Sequence, residues 1–234
     1  MSVQQIKQEL KKYANPNKAK ILQGFFKTGQ GEYGEGDIFL GLTSQEIKDV
    51  AKKFRNLELD TLKILLSSKI HEERMLSLRV LILQYKKTDL KQKEKIYKFY
   101  LKNAKNINNW DLVDISAPKI VGIYLLDKPR DILYKLAKSK NLWEKRIAIL
   151  STYAFIREKQ FKDTLKIAEL LLKDKHDLMH KAVGWMLREV GNRDREVEKK
   201  FLQKNYKIMS RTMLRYAIEK FPEKLRQNYL KGKV

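Results

Sequence analysis

Arg146-Ile147-Ala148-Ile149-Leu150 sets a basic side chain directly before a run of apolar ones. The pattern returns at Lys181-Ala182-Val183-Gly184 and at Arg211-Thr212-Met213-Leu214, and Arg74 precedes Leu76-Ser77-Leu78 in the same way. Lys181 follows Arg146 by 35 residues, and Arg211 follows Lys181 by 30. Steps of that length, filled by helix pairs, indicate an α-solenoid. The intervening segments 129–138, 161–173 and 195–206 supply the partner helices. In such arrays one helix of each pair lines a concave face. Basic residues repeated at one register therefore predict an all-α fold, an α-solenoid with a concave basic groove.

The rest of the chain reads as helix after helix. Val3, Ile6, Leu10 and Tyr13 recur at helical spacing. Asn15-Pro16-Asn17 breaks that helix, and Ala19, Ile21, Leu22, Phe25 and Phe26 belong to another. Thr43-Ser44-Gln45-Glu46 has the form of a capping box. Helices are expected over 57–66, 71–85 and 90–104, the last with Tyr97, Phe99 and Tyr100 as a core stripe. Gly191-Asn192 reads as a helix stop, and Phe221-Pro222 opens the final helix. No segment reads as a linker. The expectation is one domain over 1–234, with N-terminal helices and a glycine-rich loop in 1–42 and the repeat array in 43–234.

That loop holds Gly29-Gln30-Gly31-Glu32-Tyr33-Gly34, which matches GxGxxG. A dinucleotide site is rejected, because a helix pattern precedes the motif and no βαβ unit surrounds it. Two readings stay open. One is an ordered loop whose glycines supply positive φ or close approach. The other is a loop whose amides contact a ligand backbone, with Tyr33 beside the bound molecule.

Lys and Arg number 51 against 28 Asp and Glu, a net charge of +23. That excess calls for a polyanionic partner, with nucleic acid ahead of an anionic membrane. No stretch approaches the roughly 18 apolar residues of a membrane span. Met1-Ser2-Val3-Gln4-Gln5 lacks the layout of a signal peptide, so a cytoplasmic location is expected. Hydrophobic residues at 43% suffice for a sizeable core. There are no cysteines, which excludes disulfides, thiolate metal sites and cysteine nucleophiles. His176 and His180 are four apart, but no acidic third ligand stands at a metalloprotease spacing and lysines flank the pair. No metal is assigned there, and His180 is read as a phosphate or surface contact.

Chemistry concentrates in Asn108-Asn109-Trp110-Asp111-Leu112-Val113-Asp114-Ile115-Ser116-Ala117-Pro118. Spacing of four stacks Trp110 and Asp114 on one helix face, an aromatic plane beside a carboxylate. Asn108 or Asn109 suits an N-cap, and Asp111 reads as a first-turn acid favoured by the helix dipole. Pro118 either ends this helix, with a restart capped by Ser116, or kinks it. The segment resembles the signature of the AlkD-type DNA glycosylases, alkylpurine-DNA glycosylases built from HEAT-like helical repeats. Leu142-Trp143-Glu144-Lys145-Arg146-Ile147-Ala148 and Lys181-Ala182-Val183-Gly184-Trp185-Met186-Leu187-Arg188-Glu189 extend the resemblance, which spans roughly residues 40 to 220.

The resemblance implies a monofunctional glycosylase with neither metal nor cofactor, acting on double-stranded DNA that contains alkylated purines. It implies a catalytic set of Asp114, Trp110 and Trp185, with Arg146 helping to hold DNA. Lys181, Arg188 and Arg211 are further phosphate-contact candidates, and a monomer is expected. A purine alkylated at N3 or N7 is cationic and departs as a neutral base, so no general acid is needed. One carboxylate then suffices to stabilise the developing sugar cation and orient water. Residues 28–37 depart from the family, being richer in glycine and poorer in aromatics. A non-catalytic HEAT-repeat protein that binds damaged or branched DNA is the alternative. A protein-interaction scaffold is disfavoured by the charge.

Overall fold

Side-chain caps start most of the helices in this chain. In the computed structural model, which describes residues 2–234, Ser2 and Gln5 close a capping box at the head of α1 (Val3–Lys11). Asn15 accepts from the Lys18 amide and Pro16 takes the first position of α2 (Pro16–Phe25), where its missing N–H has no helical partner to lose. Thr43 and Glu46 close a second capping box at α3 (Ser44–Lys53), as the sequence predicts. There follow α4 (Leu59–Leu66), α5 (His71–Lys87), α6 (Leu90–Lys102), capped by Asp89, and α7 (Trp110–Ala117). The described residues form no strand, only an isolated bridge between Ile38 and Ile70.

The chain divides into two compact units, one ending at Ser116 and one spanning Ala117–Val234. In the first, α5 is the axle. It is buried on nearly every side, including His71, Glu72, Glu73 and Arg74 in its first turn, and it packs against α1, α3, α4 and α6. The N-terminal segment is thus built into this unit through α1, whose Ile6 and Leu10 are fully buried. By contrast α2 buries no residue, and Ile21 and Phe25 stay exposed. Of the expected stripe on α6, Tyr100 is fully buried, whereas Tyr97 and Phe99 lie half-exposed.

The second unit begins with a π-helical turn, Pro118–Gly122. The chain thus passes through Pro118 without a new N-cap. Ser116 donates its hydroxyl to the Leu112 carbonyl at 2.5 Å, so the expected restart at Ser116 does not occur. Then come α8 (Asp131–Ala137), α9 (Leu142–Arg157), α10 (Lys162–Leu171), α11 (Asp177–Gly191), α12 (Arg195–Asn205), α13 (Arg211–Ala217) and α14 (Glu223–Leu230). The helices stack as successive pairs. α9 packs on α8, α10 and α11, and α11 packs on α9, α10, α12 and α13. This is the α-solenoid arrangement, and its shorter helices match the expected partner segments within a few residues at each end. At Gly184 a Cβ would lie 2.4 Å from the Met213 carbonyl oxygen, so a side chain there would push α13 away from α11.

Two buried carboxylates have opposite consequences. Glu72 is 1% exposed and accepts the amides of Leu40, Gly41 and Leu42 at 2.8–3.3 Å, holding the segment that follows the glycine-rich loop. Gly41 has φ +88 there, and a Cβ would meet the Asn15 carbonyl oxygen at 2.2 Å. Removing the acceptor strands three amides, so Glu72→Ala should cost about 3 kcal/mol in urea unfolding, and Glu72→Gln less.

Glu198 lies between α12 and α11, 2% exposed, with Oε1 lacking a hydrogen-bond partner. Burial pushes its carboxyl up to about 8 against the opposing charges of Arg195 and Arg188. A folded-state value above the unfolded one means the contribution of Glu198 to stability is greatest below pH 4.5 and is lost as pH rises to about 8. Glu198→Gln should therefore be more stable than the native protein at pH 8.5, by on the order of 2–4 kcal/mol, and little changed at pH 5. Thermal unfolding at the two pH values checks this.

Candidate functional site

In the first unit, Trp110 opens α7 and Asp114 follows one turn later, both half-buried. Asn109 is fully buried and accepts the Trp110 amide through Oδ1 at 2.8 Å. The indole stacks on Phe26, with centroids 5.2 Å apart and planes 18° apart, and meets the edge of Phe25 at 6.0 Å. Phe26 stacks in turn on Phe39 at 5.0 Å, and both lie against the His71 ring. Phe25 is 61% exposed, so an aromatic shelf runs from the buried Phe39 to solvent beside Trp110.

Beneath that shelf is a cluster of charges. One oxygen of Asp37 accepts from Arg74 at 2.7 Å and from Asn109 at 3.1 Å, and lies 3.2 Å from His71 Nδ1. His71 Nε2 meets Asp111 at 2.8 Å. Burial pushes the Asp37 carboxyl up, but His71, the Arg74 charge and the Asn109 amide outweigh it and hold it below the usual carboxylate range. For His71 burial favours the neutral ring, but Asp111 and Asp37 prevail and raise it above its ordinary value. Asp111 is therefore more than a first-turn acid. Its Oδ2 faces His71 while its Oδ1 accepts the Leu112 amide.

The glycine-rich loop engages several of its own amides. Gly29 N–H donates to Glu32 and Gly31 N–H to Glu35, while Gly34 N–H donates to the Lys27 carbonyl. Tyr33 is half-buried, and its hydroxyl reaches the Phe25 carbonyl at 3.5 Å.

The second unit carries its own half-buried tryptophan. Trp185 lies on α11, its indole N–H donates to Glu189 at 3.3 Å, and its ring sits 6.2 Å from Tyr153. Arg193 pairs with Glu189 and lies over Tyr153, which completes a small aromatic and charged cluster. Lys181 pairs with Asp177 one turn away at 2.7 Å, Arg188 pairs with Glu219, and the exposed Arg211 donates to the Leu230 carbonyl. Arg146 is 4% exposed and donates to the Leu178 carbonyl at 2.6 Å. Arg74, read as one of a row of groove cations, is buried on Asp37. A shared place in the repeat thus does not give a shared exposure. His180 meets the Asp174 carbonyl at 2.6 Å, so part of its ring is engaged with backbone.

Sequence reading did not single out Asp37, His71, Phe26 or Phe39 as neighbours of Trp110. Their sequence separations exceed any helical spacing, and the one available signal was the unusual crowding of His71, Glu72, Glu73 and Arg74 at a helix start.

No curated protein matches the chain. Among solved structures, it is similar to a predicted DNA alkylation repair enzyme from Enterococcus faecalis, with a TM-score of 0.68 at 14% identity. That match covers 90% of this chain and 97% of the other, and at such low identity it speaks for the fold. The model of the DNA alkylation repair enzyme family matches residues 6–221. On a match of that extent, the chain belongs to the DNA alkylation repair enzyme family.

Proposed function

We propose that the protein is a monofunctional glycosylase that hydrolyses the N-glycosidic bond of cationic N3- or N7-methylated purines in duplex DNA. The observation that carries this reading is the pairing of Trp110 and Asp114 one turn apart on α7, in a chain of this family. The scissile bond joins C1′ of the deoxyribose to a base that already bears positive charge. As it breaks, the bonding electrons neutralise the base, and the cationic character passes to the sugar. The Asp114 carboxylate stabilises that charge and orients the water that adds to C1′. The base leaves without a proton from the protein, and the water's proton passes to solvent.

Trp110 offers its face to the sugar and the cationic base, a contact worth roughly 0.5–2 kcal/mol, and Trp185 is a further candidate for aromatic contact with DNA. Lys181, Arg188 and Arg211 contact phosphates, with Arg146 set deeper beside the start of α11 and Tyr33 near the damaged base. The partners of Lys181 and Arg188 are in part exposed, and exposed ion pairs contribute little, so a phosphate displaces them at small cost. The net charge of +23 supports binding that is independent of sequence and weakens steeply with salt. No helix among the described residues is long and apolar enough to cross a membrane. The proposal includes action as a cytoplasmic monomer without metal or cofactor.

Release of free methylated purines from methylated duplex DNA tests the reading. The native protein should release base, and Asp114→Asn should lose roughly a hundredfold or more in single-turnover rate while DNA affinity stays nearly unchanged. Equal rates would overturn the role of Asp114. Tight, salt-sensitive binding with no release by the native protein would establish the non-catalytic DNA binder instead.

A further inference from the structure

His71 is 3% exposed, and each of its ring nitrogens faces a carboxylate, Asp37 at 3.2 Å and Asp111 at 2.8 Å. A neutral imidazole has one N–H and one bare nitrogen, so it can donate to only one of two carboxylates. A bare Nδ1 would then set its lone pair against the Asp37 anion at 3.2 Å, nearer than the Arg74 guanidinium at 3.5 Å. An imidazolium donates to both. With Arg74 on Asp37, the cluster then holds two cations and two anions, and the Asn109 amide supplies a further donor to Asp37. Such a balance is what a buried ionic group needs in order to persist.

The two carboxylates come from different places. Asp37 closes the glycine-rich loop, and Asp111 is the residue after Trp110. The backbone adds to the same joint: His71 N–H donates to the Ile38 carbonyl, and Ile38 N–H to the Lys69 carbonyl. Phe26 and Phe39 cover the ring, and Phe26 is the surface on which Trp110 stacks. We propose that His71 is a positioning residue, a protonated bridge that fastens the glycine-rich loop to the first turn of α7 and so fixes the plane of Trp110. The proposal rests on the reading that Trp110 and Asp114 serve base release.

The bridge depends on the charges around it. Facing His71 are Asp37 from the loop, Asp111 from α7 and Arg74 on its own helix, with Arg79 acting on Asp111 through space. Glu72 is directed to the loop amides of residues 40–42, and Glu73 to Lys7 of α1. The ring's ordinary value of 6.5 is raised in the folded protein. Loss of either carboxylate lowers it again. Asp111 is the more accessible of the two, with a side chain 17% exposed, so Asp111→Asn perturbs the bridge with little change in shape.

Nitrogen NMR of the histidine rings in the full-length protein reads the bridge directly, with the His71 signals assigned by His71→Gln. At pH 7.5 the native ring should carry a proton on both nitrogens, and a bare ring nitrogen overturns the proposal. In Asp111→Asn the midpoint of His71 should fall. The fluorine resonance of 5-fluorotryptophan at position 110, assigned by Trp110→Phe, should titrate with it. Above that midpoint Asp111→Asn should release methylated purines about tenfold more slowly than the native protein and recover below it, with duplex affinity little changed. A deficit independent of pH would mark a packing role and overturn the proposal. A native protein that releases no base while Trp110 still follows the His71 ring supports the bridge and refutes the glycosylase reading. Normal release with a Trp110 resonance blind to His71 refutes the bridge alone.

Discussion

Asp37 is a buried carboxylate, and an ion out of water persists only where donors surround it. Three polar side chains converge on one of its oxygens, Arg74, Asn109 and His71. Each comes with a structural element attached. Arg74 and His71 bring the first turn of α5, and Asn109 brings the residue before α7. Satisfying one charge therefore assembles a loop, a helix start and a second helix start. The position of Trp110 follows from this, since the Asn109 side chain that donates to Asp37 also accepts the Trp110 amide. The aromatic face of the first unit is placed by electrostatics as well as by apolar packing.

The second unit is held by close approach of helices. Gly184 lets α13 lie against α11, and the next residue is Trp185. The backbone that carries this tryptophan is thus fixed by a contact one residue away. The charges here also differ in kind from the cluster around Asp37. Lys181 and Asp177 are 41% and 57% exposed, a pair that water screens and a phosphate can replace. The Arg74–Asp37 pair, at 4% exposure on both sides, cannot be opened so cheaply. Burial therefore sorts the basic residues into those that hold the fold and those available to a polyanion.

The repeat spacing from Arg146 to Lys181 and Arg211, the capping box at Thr43 and the net charge were all legible, because each is a local or additive property of the chain. The helix pairs of the second unit followed from them. What a basic residue at a given register does was not legible. Arg74, Arg146 and Lys181 occupy comparable places in the pattern, yet the first meets a buried carboxylate, the second a backbone carbonyl and the third an acid on its own helix. Helical periodicity fixes which face a side chain shares, while its partner is fixed by chain folding. Asp37 and Asp111 reach His71 across 34 and 40 residues, so no spacing rule joins them. Pro118 shows the converse limit. The proline was recognised as a disturbance, but its accommodation in a π-helical turn depends on the backbone around it.

The same separation of roles divides the two aspartates of α7. Asp111 has both oxygens committed, one to the Leu112 amide and one to His71, and its first-turn place also suits the positive end of the helix dipole. A carboxylate so well satisfied gains little by facing a new cation. Asp114 lies a turn further along, away from that end of the helix and four residues from Trp110. Trp110 and Asp114 thus sit at the register where helical neighbours stack. The first aspartate stiffens the helix start and the second shares a face with Trp110, so residues of one type three positions apart stand in different settings on one helix.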